Sequence, residues 1–233
     1  MSAPSPTSQG PFRLPVDAHV HGSVDRSRVV ALRSVALGEA DEALALDPGP
    51  LCTGLHPWDV RAESWEDDLH HLERLLATGR FRALGEAGLD RSRPPGSPLQ
   101  MEAFLRQIEL SERFSLPLVV HCVRAASDLL GARSRRAARQ TWILHGWNGS
   151  LAQTEDLLGR TDFVFSFGAS LLHPGSKSRE GVAIVPDDRI LLETDDSGIA
   201  IESIEQEASL LRETGITELR GHLHATWNRL FER

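Results

Sequence analysis

The sequence predicts an α/β fold, a TIM-type (β/α)8 barrel, and three observations carry that expectation. Short apolar runs alternate with longer amphipathic stretches from one end of the chain to the other. The runs lack regular polar alternation, as expected of parallel strands covered on both faces. The length, 233 residues, suits one barrel of roughly 200–250 residues and leaves no room for a second enzyme domain. Seven runs read as strands: Leu14–Val20, Leu51–Leu55, Phe81–Gly85, Leu116–Val120, Thr141–Leu144, Asp162–Phe167 and Arg189–Glu193. The eighth has one place to go, Arg28–Leu37, which makes the second strand-helix unit short and degenerate. The plainest helix begins at Ser97-Pro98-Leu99-Gln100, with an N-cap serine, a proline at the first turn and a glutamine three residues on. Met101, Phe104, Leu105 and Ile108 then recur at helical spacing, as do Ile201, Ile204, Ala208 and Leu211.

Bulk composition narrows the classes of function. A formal net charge of −8 gives no global positive field that would draw the chain to nucleic acid or acidic membranes. An anionic substrate must therefore be held by local cations. Two cysteines, Cys52 and Cys122, lie in apolar runs and suggest reduced thiols and a cytoplasmic protein. Residues 1–12 form a polar, Pro/Ser-rich segment with no signal-peptide pattern and are expected to be disordered, leaving residues 13–233 as a single domain. No apolar stretch approaches the roughly 20 residues of a membrane span, and no obligate protein partner is evident.

Chemistry concentrates at the ends of the predicted strands. The first closes with Asp17-Ala18-His19-Val20-His21, where extended backbone sends the two imidazoles to one side. Glu86 ends the strand of ALGEAGLD, His121 ends LPLVVH, His145 ends TWILH and Asp195 ends ILLETD. In a parallel barrel these C-terminal ends meet on one face, where barrel active sites are built. Imidazoles with carboxylates are the ligand set of catalytic Zn, Mn, Mg or similar ions, one or two of them, with positions left for water. A lone strand-end histidine is usually structural or merely exposed. Four of them with two carboxylates, all at strand ends, are better explained by a metal-dependent hydrolase. The remaining histidines read otherwise: His70 and His71 as a solvated helix face, His222 and His224 as helical and pointing apart, His173 as a surface loop residue.

GLHPW (54–58), LGEAGLD (84–90), PLVVHC (117–122), ILHGWNGS (143–150), FSFG (165–168) and LLETD (191–195) fall in an order and spacing that resemble the TatD family of metal-dependent deoxyribonucleases, within the amidohydrolase-like barrels. The resemblance implies that His19 and His21 bind one metal, Glu86 bridges, and His121 and His145 bind a second. It implies that Asp195 contacts the first metal and accepts the proton of the attacking water, and that His56 touches the scissile phosphate. The family pattern places an arginine two residues after the histidine at 121; here that position is Val123, and Arg124 follows. After LLETD this chain has Asp196-Ser197-Gly198 in place of the usual proline and asparagine-bearing loop. The expected activity is a phosphodiesterase acting on DNA through metal-activated water, with Arg91, Arg93 and Arg124 as candidate backbone contacts. The alternative is an ester, lactone or amide hydrolase for small or aminoacyl substrates on the same site. A metal-binding scaffold without activity fits least, because no ligand position is missing.

Overall fold

The computed structural model describes residues 13–93 and 97–232, so the expectation for residues 1–12 lies outside the described residues. Eight parallel strands form one sheet in strict sequence order. They are β1 (Val16–Val20), β2 (Val30–Ala36), β3 (Leu51–Gly54), β4 (Phe81–Asp90), β5 (Leu118–Val123), β6 (Trp142–Leu144), β7 (Val164–Phe167) and β8 (Ile190–Leu192). Beyond β8 the ring closes on β1 through a parallel bridge between Val20 and Asp195. Eight helices surround it: α1 (Ala40–Leu46), α2 (Trp65–Leu76), α3 (Ser97–Phe114), α4 (Ala126–Arg136), α5 (Leu151–Arg160), α6 (Ser178–Ile184), α7 (Ile201–Leu211) and α8 (Ile216–Phe231). This is the predicted TIM-type barrel.

The compression foreseen near the second strand is shared between two connections. Residues 21–29 join β1 to β2 with turns and no helix, while β2 itself is a full strand and α1 is only seven residues long. Such a short helix brings little apolar area, so polar contacts hold the unit together. Asp47, just past α1, accepts from Arg26 Nε at 3.1 Å and Nη2 at 3.0 Å, and from Arg33 Nη1 at 3.4 Å. Arg26 Nη1 also donates to the Ala31 carbonyl at 2.9 Å, tying the β1–β2 connection to β2.

Two strands run further than their composition suggests. The glycines of LGEAGLD read as the end of a strand, yet β4 continues to Asp90. Gly85 and Gly88 have φ of +143° and +148°, and β5 lies so close that a Cβ would fall 2.4 Å from the Val119 carbonyl and 2.1 Å from that of His121. The glycines mark close approach of two backbones and not a turn. The β4–β5 register shifts between Leu84 and Ala87, so Glu86 sits at an irregularity in mid-strand. Such bulges re-aim a side chain.

The core joins both layers. Leu32, Leu51, Phe81, Leu118, Phe165 and Leu191 are fully or almost fully buried along the sheet. Trp142 stacks on Phe163 with ring centroids 5.4 Å apart and meets Phe104 of α3 edge-on. Among the described residues no helix is long and apolar enough to cross a membrane.

Asp47→Ala leaves two half-buried guanidinium groups without their carboxylate, and is expected to lower unfolding free energy by about 1–3 kcal/mol. Urea unfolding measures this; a loss within about 0.5 kcal/mol, the range of ordinary surface substitutions, would show that the short unit does not depend on Asp47.

Candidate metal centre

All six predicted residues come together. His19 and His21 project from the end of β1, Glu86 from the β4 irregularity, His121 from β5, His145 from just beyond β6, and Asp195 from the turn after β8. The expectation that Glu86 and His121 end their strands is corrected, since both strands continue past them. Their side chains still reach the common face.

Glu86 stands in the middle, with one oxygen to each side. Its Oε1 lies 3.2 Å from His19 Nε2 and 3.3 Å from His21 Nε2, and those two nitrogens are 3.2 Å apart. Asp195 Oδ1 caps this triangle, 3.3 Å from His21 Nε2 and 3.8 Å from His19 Nε2. Glu86 Oε2 lies 2.8 Å from His145 Nε2 and 3.5 Å from His121 Nδ1, which are 3.3 Å from each other. His56 Nε2 approaches the same oxygen at 3.6 Å. Three groups of donors meet the spacing for an ion: His19, Glu86 and His145; His19, His21 and Asp195; His56, Glu86 and His121.

The donor chemistry fits divalent metal. Two imidazole nitrogens aimed at each other across 3.2 Å oppose their lone pairs unless a proton or cation lies between them. Around a tetrahedral ion with ligand bonds of about 2.0–2.1 Å, donor atoms lie about 3.3–3.4 Å apart. Most of the observed edges are close to that value.

Electrostatics run in the same direction. Burial opposes ionisation of Glu86, but the His19 and His145 imidazoles outweigh it and hold its carboxyl far below the usual range. Hydrogen bonds to Asp195 and Glu86 raise His21 to about 10. Burial disfavours a charge on His145, yet Glu86 and Glu193 push its pKa well above normal. Asp195 resists burial through its contact with His21 and stays below the ordinary carboxylate value. His56 alone moves the other way, because burial pushes it down to about 4. The Trp58 amide donates to His56 Nδ1 at 3.1 Å, which leaves the ring proton on Nε2, facing the pocket.

Sequence reasoning missed the groups that orient these side chains. Asp90 Oδ2 stands 3.5 Å behind His121 Nε2, and Glu193 Oε1 stands 3.5 Å behind His145 Nδ1. Carboxylates placed behind ligating histidines fix ring orientation and raise basicity. Asp90 accepts from Trp58 Nε1 at 2.7 Å and from Ser92; these donors overcome burial and bring it down to about 2. Two buried glutamines of α3 set the loop after β3. Gln107 accepts from the Leu55 amide at 2.9 Å and donates to the Leu55 carbonyl at 3.0 Å, while Gln100 accepts from the Asp90 amide and donates to the Pro57 carbonyl. Gln100, expected to help start its own helix, thus holds two catalytic-face loops. A glutamine on the apolar stripe of α3, such as Gln107 one turn from Phe104, was the available signal.

The other candidates lie apart. Arg91 pairs with Asp128 at 2.5 Å, Arg93 covers the Trp58 ring at 4.1 Å, and Arg124 is exposed on an adjoining cleft. His224 bonds the Leu14 carbonyl, His222 faces Asp187, His71 faces Asp41, and His173 is exposed. The metal pocket itself is a cavity of about 380 Å³ reaching from Gly22 and Asp196 to His56 and Trp58.

The model of the family described as TatD related DNase matches residues 16–199. The chain belongs to that family. A Bacillus subtilis relative named uncharacterized metal-dependent hydrolase YabD is 32% identical over 146 residues, covering 61% of this chain and 56% of that protein. A Cronobacter turicensis relative named 3'-5' ssDNA/RNA exonuclease TatD is 31% identical over 152 residues, covering 61% of this chain and 55% of its own length. The chain therefore matches little more than half the length of these relatives. The crystal structure of the TatD homologue YjjV from Escherichia coli superposes with a TM-score of 0.80 at 23% identity, over 94% of this chain and 98% of that one.

Because His21 and His145 hold protons in the metal-free site, metal must displace them, and affinity should weaken as pH falls. Chelator competition with Zn²⁺ or Mn²⁺ at pH 6 and pH 8 should show tighter binding at pH 8. Equal affinity would mean that these imidazoles do not ligate.

Proposed function

We propose that this protein is a divalent-metal-dependent phosphodiesterase acting on DNA, with residues 13–233 working as one catalytic unit in the cytoplasm. One observation carries the reading: the two oxygens of Glu86 address two separate donor groups, His19 with His21 and His121 with His145. With that arrangement Glu86 would share its carboxylate between two ions, His19 and His21 would hold one and His121 and His145 the other, and the pair would supply Lewis-acid chemistry for phosphodiester hydrolysis. When bound, such ions lower the pKa of water and neutralise a phosphodiester oxygen.

The chain's own residues supply the rest. Asp195 remains ionised through the neutral range and is partly exposed, so it can take the proton of the attacking water. His56, neutral and with its proton on Nε2, can donate to a non-bridging phosphate oxygen. Asp90 and Glu193 keep the His121 and His145 rings in place while charge develops. The free thiols Cys52, buried, and Cys122 support a reducing location. The exonuclease name of the Cronobacter relative favours a nucleic-acid substrate over a small ester.

The metal-reconstituted protein, assayed on labelled single-stranded and duplex DNA beside an ester and lactone panel, should cleave DNA and lose that activity with chelator. Preferential ester hydrolysis would replace the phosphodiesterase reading. Asp195→Asn should retain metal while lowering single-turnover rate by roughly 100-fold or more, the scale of losing a positioned base. His19→Ala should lower metal content itself. A rate for Asp195→Asn within a few-fold of wild type would remove Asp195 as the base.

A further inference from the structure

A second cavity opens on the same face of the barrel. Its volume is about 820 Å³, and it begins at Cys122 and Gly146, the residues that follow His121 and His145. From there it runs between α4 and α5 as far as Arg160 at the end of α5, and its lining includes Lys177. The metal pocket is lined from β1 to β3 and by Glu86, His121 and His145, whereas this cleft is lined by the residues that follow His121 and His145; the two share no lining residue.

The cleft is basic in an acidic chain. Arg124, Arg160 and Lys177 line it, and Lys177 is the one lysine in the sequence. Asp156 neutralises Arg160 at 3.2 Å. Arg124 and Lys177 are both exposed, and neither has an ion pair among the described residues. The loop between them is held: Asn148 accepts from Ser176 Oγ and from the Ser178 amide, each at 3.0 Å, which fixes the segment bearing Lys177 against the β6–α5 loop. An unpaired cation costs little in water, but two lining one cleft that begins beside His121 and His145 match the charge of a strand's backbone.

We propose that this cleft is the track for the part of a single-stranded nucleic acid beyond the cleaved bond, with Lys177 and Arg124 each holding one backbone phosphate. The proposal rests on the phosphodiesterase reading for the position of the cleaved bond. It also narrows that reading, because a small ester or lactone would fill the 380 Å³ metal pocket and have no use for the cleft. The two cations act by charge, so the strand is held without regard to base sequence.

The test is binding, measured independently of turnover. A fluorescein-labelled phosphorothioate decamer is titrated by anisotropy against metal-loaded wild type, Lys177→Gln, the Lys177→Gln/Arg124→Gln double variant and Arg135→Gln, between 50 and 300 mM salt. Arg135 is an exposed cation at the far end of α4 and serves as the control. Each single-strand phosphate contact contributes about 0.7 to the slope of log affinity against log salt. The slope should fall by about 0.7 in the single variant and about 1.4 in the double, with Arg135→Gln like wild type. The KM for a decamer should rise relative to that for a dinucleotide by about 10-fold in the double variant, the size of a one-decade loss in phosphate affinity. Slopes equal to wild type, or an equal loss in Arg135→Gln, would overturn the track even if DNA is cleaved. Failure of wild type to cleave any phosphodiester would instead strike the phosphodiesterase reading, while the anisotropy series would still decide whether the cleft binds a strand.

Discussion

A ring of parallel strands has to close, and in this protein the closure is made by residues of the candidate metal centre themselves. The Asp195 amide donates to the His19 carbonyl at 2.8 Å, and the His21 amide donates back to the Asp195 carbonyl at 3.3 Å. Beneath this pair the Asp17 carboxylate, almost fully buried, accepts both the amide of Thr194 at 3.0 Å and its hydroxyl at 2.6 Å. β1 and β8 are thereby held in the one register that sets His19, His21 and the Asp195 carboxylate around a common point. Asp195 adopts φ of +53°, a left-handed conformation that an aspartate tolerates at a cost of order 1–2 kcal/mol. That conformation turns the chain sharply after β8. The same geometry brings its side chain to the centre.

The ring of strand ends was legible because parallel strands impose a simple rule. Each apolar run that ended in a histidine or carboxylate had to deliver that residue to one face, and His19, His21, His145 and Asp195 obey it directly. The rule failed at Glu86 for a physical reason. Glycine in a strand has two meanings, termination or close approach, and a single sequence does not separate them; Gly85 and Gly88 have the second. The groups behind the histidines were hidden for another reason. Asp90 and Glu193 sit in the same motifs as the ligands, but whether a carboxylate stands beside a metal or behind an imidazole depends on strand rotation. Gln100 and Gln107 bond backbone groups that other barrel units carry. A glutamine on the apolar stripe of α3 signals a buried polar contact, but the partner is set by the tertiary fold.

Charge explains why these parts need each other. Glu86, largely enclosed, and Asp195, partly exposed, are ionised, with Asp90 and Glu193 close behind, in a protein already carrying −8. Several carboxylates this near to each other are unstable without cations among them. In the metal-free site, protons on His21 and His145 supply part of that charge. Divalent ions at the candidate donors would supply it with fixed geometry and would free the imidazoles as ligands. Metal binding at these donors would therefore be linked to the internal stability of this face of the barrel.

The division of labour between strands and loops then accounts for where this chain departs from its family's pattern. Strand ends hold the centre, so changes at Val123 and after Asp195 leave the donor set intact. Loops decide what reaches it. Ser197 turns back at once, its hydroxyl donating to the Thr194 carbonyl at 2.6 Å, and the segment leads directly into α7. The side near Gly22 and Asp196 is left open as part of a 380 Å³ space, within the roughly 300–1,000 Å³ typical of ligand sites. With Val123 in place of the family's arginine, the nearest cation shifts by one residue to Arg124. Val123 and Arg124 both line the cleft beside the metal pocket. Strand ends thus hold the donor set, while the segment that follows His121 places Arg124 on the neighbouring cleft.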